Sequence, residues 1–184
     1  IDHLIIREDV FLEDVKKALD FVKTNKALVT LGIKPNRPET AYGYIQSSEK
    51  MVGEFTKVKT FTEKPDKDMA NLFINTKEFF WNAGIFLWKA KTICSELKTQ
   101  LPEVAGLFEG WERALNSKIE NQFILRAFTD CPNISIDYGV MEKTNRAWIY
   151  PVRFGWCDIG TWESLYNHFE DKDSQGNAIK TERC

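Results

Sequence analysis

Short apolar runs of strand length alternate along this chain with longer stretches of helical spacing, and no other feature constrains its fold as much. Residues 8 to 23 place Val10, Phe11, Val15, Leu19 and Val22 at helical spacing, with acids early and lysines late, as the helix dipole favours. Ala27 to Ile33 is a mostly apolar run of strand length, and Lys34 to Glu39, with Pro35 and Pro38, predicts a loop. Strands are expected over Thr40 to Gln46 and Phe55 to Phe61, joined by a polar turn at Gly53. Pro65 breaks the chain, and Asp66 is placed to cap a helix that runs to Ile74. Phe79 to Trp88 reads as a buried strand interrupted by Gly84, and two or three helices are expected over residues 89 to 128. Ala147 to Phe154 predicts another strand, Gly155 to Gly160 a loop, and Thr161 the opening of a final helix. The sum is an α/β chain with a mixed sheet, its ligand crevice at the carboxyl ends of the strands.

Composition narrows the class. The 184 residues suit one domain or a large piece of one, and 43% hydrophobic with 28% charged residues is a globular balance. A formal charge of −2 with no basic stripe argues against a nucleic-acid partner. No apolar run reaches the length of a membrane span, so no membrane role is expected. Cys94, Cys131, Cys157 and Cys184 stand far apart, which disfavours a zinc site or a redox pair and suits a reducing cytoplasm. His3 and His168 are the two histidines, too few for a His-rich metal site. The chain opens without Met or a signal pattern, with Ile1 to Ile6 reading as the end of a buried strand, and it stops in a polar stretch. A missing N-terminal portion is therefore expected.

Polar residues placed just after, or inside, the expected strands are the candidates for chemistry. Asp2 and Asp158 lie at separate strand ends, and two such carboxylates suit Mg²⁺, which takes hard oxygen ligands and leaves positions for phosphates. Their alternative reading is an exposed Asp2 and an Asp158 that caps the following helix. Glu63-Lys64-Pro65 sets an acceptor for sugar hydroxyls beside a cation for a phosphate, or forms an ordinary salt-bridged turn. Asn82, inside an apolar strand, needs partners, supplied by a sugar hydroxyl or by neighbouring backbone. Gly155 and Gly160 lack the Lys and Ser or Thr of a phosphate-binding loop, and Ser135 with Asp137 lacks a nucleophile elbow.

Taken in order, the motifs resemble those of the sugar-1-phosphate nucleotidyltransferases, and within that family its mannose-using guanylyl branch. The resembling stretches begin with Asp2-His3-Leu4-Ile5, Leu31-Gly32-Ile33-Lys34-Pro35, Arg37-Pro38-Glu39-Thr40 and Tyr42-Gly43-Tyr44-Ile45. They continue with Phe61-Thr62-Glu63-Lys64-Pro65, Trp81-Asn82-Ala83-Gly84, Ser135-Ile136-Asp137-Tyr138-Gly139-Val140-Met141-Glu142-Lys143 and Gly155-Trp156-Cys157-Asp158-Ile159-Gly160-Thr161-Trp162. The resemblance implies a Rossmann-like, mixed-sheet α/β fold, incomplete at its N-terminus, with residues 1–184 as the sugar-phosphate part of a single catalytic domain. It implies GTP and mannose 1-phosphate as substrates, Mg²⁺ as cofactor and a cytoplasmic enzyme, with a homodimer as a further expectation. Asp2 and Asp158 would hold the metal, and Lys64 would neutralise the sugar phosphate. Glu63, Asn82 and the Gly43 backbone would hold sugar hydroxyls, with Tyr42 and Asp137 near the same pocket. The family's Gly-rich triphosphate signature is absent from this sequence, so the chain alone is expected to be inactive. A glucose-1-phosphate enzyme using another nucleotide, a non-catalytic sugar-nucleotide-binding relative and a plain carbohydrate-binding domain are the competing readings.

Overall fold

Two acids in its first turn and Lys23 in its last favour helix α1, Glu8–Thr24, which follows a short strand β1, His3–Ile5. Strands β2 (Leu28–Ile33), β3 (Tyr44–Val52) and β4 (Phe55–Thr62) come next, then helix α2 (Lys67–Thr76) and strand β5 (Phe79–Trp88). Helices α3 (Ala90–Gln100), α4 (Pro102–Leu107), α5 (Trp111–Ala114) and α6 (Glu120–Asp130) lead to a π-helical turn over Asp137–Met141. Strands β6 (Ala147–Val152) and β7 (Trp156–Asp158) close the series. The computed structural model describes residues 3–160, 162, 165, 166, 169 and 172–178. These divide into two compact units, one from residues 1–15 and 153–184, the other from residues 16–152.

In the smaller unit β1 and β7 pair antiparallel, with His3 opposite Asp158 and Ile5 opposite Trp156. The pairing continues past the strands, since the Ile6 and Arg7 amides donate to the Gly155 and Phe154 carbonyls at 3.0 and 2.9 Å. Phe11 meets Phe154 edge-on at 5.1 Å. Residues 155 to 160 were expected as a loop, but 156–158 form a strand. Their ladder partner is at the other end of the sequence, where local spacing carries no sign of it. Gly155 adopts φ +72 and would place a Cβ 3.0 Å from Ile6, so glycine is required by both conformation and space. Asp2 and Thr161 lie outside the described residues.

The larger unit is a ring of five strands in the order β2-β5-β3-β4-β6, closed by a parallel pairing of β6 with β2 and otherwise antiparallel. The mixed sheet matches expectation; its closure into a ring was not foreseen, because the β4–β6 pairing rests on only Thr56 opposite Ile149 and Lys57 opposite Trp148. Strand β2 is buried over Leu28 to Gly32, as befits a strand with neighbours on both edges. Leu28, Ile45, Phe61, Ile93, Leu101, Val140, Met141, Ala147 and Ile149 form the core between the ring and α3. Strand β3 begins four residues later than Thr40 and runs on to Val52, where Gly53 at φ +59 turns the hairpin into β4. Asp66 caps α2 as expected, its Oδ1 accepting from the Met69 amide at 2.8 Å. Four helices replace the expected two or three because Pro102 starts a new helix after α3 and Gly110, at φ +84, stops α4 from continuing into α5.

Candidate functional site

Asn82 occupies the irregular part of β5. Leu28 to Thr30 pair with Trp88 to Phe86, but Gly32 and Ile33 pair with Asn82 and Trp81, so the register shifts between them. The excess residues on β5 form a bulge around Gly84, whose φ is +68. The bulge folds the Gly84 amide back onto Asn82 Oδ1 at 3.1 Å, and the Thr30 hydroxyl donates to the same oxygen at 2.9 Å. Asn82 Nδ2 donates to Asp137 Oδ1 at 2.9 Å. Of the four hydrogen-bonding positions on this amide, three are therefore taken by described residues and one N–H is left for a ligand. Both sources of partners weighed from the sequence, neighbouring backbone and an external hydroxyl, thus retain a place.

Gly43 brings the next strand end close. Its carbonyl accepts from the Asn82 amide at 2.8 Å, and a Cβ at this position would collide with Glu63 Oε2. The Glu63 side chain is 12% exposed, and Oε2 has no hydrogen-bond partner among the described residues. Its other oxygen lies 3.7 Å from Lys64 Nζ. Burial pushes the Glu63 carboxyl above the usual carboxylate range, and the Asp137 charge pushes it further, against the pull of Lys64. Asp137 is likewise raised, chiefly by burial.

Lys64 itself sits at φ 46, a conformation that costs a non-glycine residue about 1–2 kcal/mol, with its side chain 61% exposed. Neighbours on a regular strand point to opposite faces, and that twist lets Glu63 and Lys64 serve one pocket at the strand's end. Asp137 is delivered by the π-helical turn, in which the Glu142 amide donates to the Asp137 carbonyl at 3.0 Å. Gly139 lets the turn pack down, since a Cβ there would stand 2.6 Å from Leu101 Cδ1. Such turns recur at functional sites.

Tyr42 is buried, its ring edge-on to Trp81 at 5.3 Å, and the Arg37 guanidinium lies 5.2 Å from the Trp81 ring centre. Trp81 Nε1 is buried without a hydrogen-bond partner among the described residues. The structure thus gathers Gly43, Glu63, Lys64, Asn82 and Asp137, with Tyr42 packed against the strand that carries Asn82. Sequence reasoning missed Thr30, hidden in an apolar run, and Glu142, whose Oε1 accepts from the Glu63 amide at 3.2 Å. The available signals were a lone hydroxyl in a buried strand and an acid just after the Asp137 segment.

Asp158 belongs to the smaller unit, half-buried on β7. Its Oδ1 accepts from the Gly160 amide at 2.9 Å, which leaves Oδ2, among the described residues, for an external ligand. Among the described residues no group of three or more His, Cys, Asp or Glu is placed to hold a metal. A lone carboxylate with a free oxygen fits Mg²⁺ held through substrate phosphates better than a cation caged by protein. Cys94 and Cys131 are free thiols, and no described helix is long and apolar enough to cross a membrane.

Comparison with known proteins gives concordant matches. The family model described as nucleotidyl transferase matches residues 2–175. A mannose-1-phosphate guanylyltransferase of Salmonella montevideo is 38% identical over 97% of this chain and 39% of its own length. Xanthan biosynthesis protein XanB of Xanthomonas campestris pv. campestris is 40% identical over 96% of this chain and 37% of its own. A crystal structure described as mannose-1-phosphate geranyltransferase, from Thermus thermophilus, superposes with a TM-score of 0.79 at 32% identity, covering 93% of this chain and 48% of that one. The chain spans under two fifths of these curated relatives.

Proposed function

The chain belongs to the nucleotidyl transferase family, and from that premise we propose that the whole protein transfers GMP from GTP to mannose 1-phosphate, giving GDP-mannose and pyrophosphate. The observation that carries this reading is the buried Glu63 carboxylate, whose Oε2 lacks a partner among the described residues while its Oε1 lies 3.7 Å from Lys64 Nζ. A sugar phosphate supplies what that pair lacks: hydroxyls to donate to the carboxylate and an anion to meet the ammonium. Hydroxyl donors would stabilise the ionised form of Glu63, which burial by itself disfavours. Relatives named mannose-1-phosphate guanylyltransferase support mannose and guanine over the glucose reading.

In the reaction, an oxygen of the sugar phosphate forms a bond to the α-phosphorus of GTP while the bond to the bridging oxygen of pyrophosphate breaks. The nucleophile is already anionic, so the protein has no proton to remove, and its task is positioning and charge neutralisation. Glu63 and the spare N–H of Asn82 fix the sugar ring, Asp137 holds Asn82 in place, and Lys64 orients the phosphate. Asp158, with Asp2 as second carboxylate, would bind Mg²⁺. The bound cation would neutralise charge on the phosphates as they approach one another. Recognition of the triphosphate and the base is assigned to a Gly-rich segment that this sequence does not contain, within a Rossmann-like catalytic domain of a cytoplasmic enzyme.

The test is pyrophosphate release by the full-length gene product, from GTP plus mannose 1-phosphate, with and without Mg²⁺. Mannose-dependent and Mg²⁺-dependent release is the expected result. Release with glucose 1-phosphate alone would transfer the protein to the glucose enzymes, and no release from a folded protein with either sugar would end the catalytic reading.

A further inference from the structure

The end of the ring opposite Glu63 carries a cluster of cations that the proposed reaction does not use. Leu28 opens β2 beside Trp88, the last residue of β5, and Ala147, the first of β6. Lys26, Lys89 and Arg146 lie just outside these strand ends, and Lys91 follows in the first turn of α3. With Thr92 and Ser95 they line a cavity of about 240 Å³. Asn82 pairs with Gly32 near the far end of β2, so the two ends of the ring are separated by roughly 13–16 Å of strand.

The cluster is poorly neutralised. Glu96, 5% exposed, lies 3.3 Å from Arg146 Nε and is consumed by that contact. Lys26 and Lys91 form no ion pair among the described residues, and Lys89 Nζ donates to the Lys23 carbonyl, which carries no full charge. The positive field reaches Lys57, whose ammonium is held below the usual lysine range by burial and then by Lys50 and Arg146.

Thr92 gives a second, independent sign. It is 6% exposed and lines the cavity, yet its hydroxyl makes no hydrogen bond among the described residues. Thr99 and Thr129, also helical, donate instead to the carbonyls of Ser95 and Leu125. In a residue nearly buried, this hydroxyl keeps access to the cavity and has no protein partner among the described residues, and the cavity it borders is lined by four cationic residues. The first turn of α3 adds its dipole in the same sense.

We propose that this cavity binds a small phosphate anion, inorganic phosphate or pyrophosphate, held by Lys26, Lys91 and Arg146 and by a hydrogen bond from Thr92. Arg and Lys supply charge-assisted donors on several sides of a tetrahedral anion, and the hydroxyl supplies a fixed one. The volume falls below the roughly 300–1,000 Å³ of pockets that enclose drug-sized ligands, which favours a free phosphate over a whole nucleotide. The site does not depend on the sugar-phosphate reading, because it shares no residue with that pocket.

The test titrates the full-length protein, with this chain beside it, with inorganic phosphate and, separately, with pyrophosphate, by calorimetry at an ionic strength held constant with chloride. Saturable binding of one anion per chain is expected, and the tighter of the two identifies the ligand. A Lys26→Gln, Lys91→Gln double variant should weaken it about tenfold or more, and Thr92→Val about threefold to tenfold, with Thr92→Ser restoring affinity. Lys64→Ala, in the other pocket, should leave it unchanged. Absence of saturable binding overturns the proposal. So does full affinity in either the double variant or Thr92→Val, provided that melting curves show both to be folded, and so does loss of binding in Lys64→Ala.

Discussion

One ring of strands ends in two contrasting ways. Around Glu63 two largely buried acids stand with one exposed cation, Lys64, on a tightly tied frame: Asn82 bridges Thr30, Gly84 and Asp137, and Gly43 leaves no room for a Cβ. Around Lys26 and Arg146 the charges are basic, carried on long flexible stems, and grouped about an open cavity. The acidic end is built from irregularities, a β-bulge at Gly84 and a π-helical turn at Asp137, while the basic end consists of residues that flank regular strand ends. Irregular backbone held by hydrogen bonds fixes polar atoms closely, as the sugar recognition proposed above would require. Long cationic side chains adapt to a ligand and recognise charge more than shape. The two proposed roles thus ask for precision at one end and electrostatic capture at the other.

Variants can break that contrast, and the largest effect is expected at Gly43. Gly43→Ala forces the Glu63 carboxylate aside, so pyrophosphate release by the full-length protein should fall about 100-fold or more, while phosphate binding at the basic end persists. Next comes Asn82→Ala, which strips partners from Thr30, the Gly84 amide and Asp137. A loss of about 2–3 kcal/mol is expected, read as a lower urea midpoint with unchanged slope. Lys64→Gly should move stability the other way, by about 0.5–1 kcal/mol, because relief of the left-handed backbone outweighs the entropy of the added glycine. The same substitution should raise KM for the sugar phosphate, which separates the structural cost of Lys64 from its use.

The smallest effect is in pH dependence. Glu63 and Asp137 have folded carboxyls raised above their unfolded values, so the native state holds more protons than the unfolded chain in that window. Their contribution to stability is therefore greatest at low pH and declines as pH rises from about 4 through the raised values. Glu63→Gln should flatten that decline in melting temperature relative to the parent, and a parallel pair of curves would show that Glu63 does not titrate as placed. Saturating sugar phosphate should have the opposite influence on the parent protein, drawing Glu63 back toward its charged form.

Elements whose signals are local were legible without the structure. The charge gradient of residues 8 to 23 and the cap at Asp66 announced α1 and α2, and Gly84 marked the break in β5. Glu63, Lys64, Asn82 and Asp137 stood out because polar residues beside buried strands need a reason, and motif order tied them to a family before any contact was known. Missed were features that exist only across sequence distance. Strand β7 forms because β1 pairs with it, and Thr30 matters because β5 bulges toward it. A net charge of −2 concealed the basic end, whose four cations stand at positions 26, 89, 91 and 146. By itself the sequence determined most of the helices and strands, β7 excepted, and which residue types are available for chemistry, since propensity, capping and periodicity act over a few residues. Only the tertiary structure decided that the strands close into a ring, that Glu63 Oε2 beside Gly43 has no partner among the described residues, and that scattered lysines share one cavity. Pairing, burial and electrostatic potential depend on distances through space, and those distances are set by the whole chain at once.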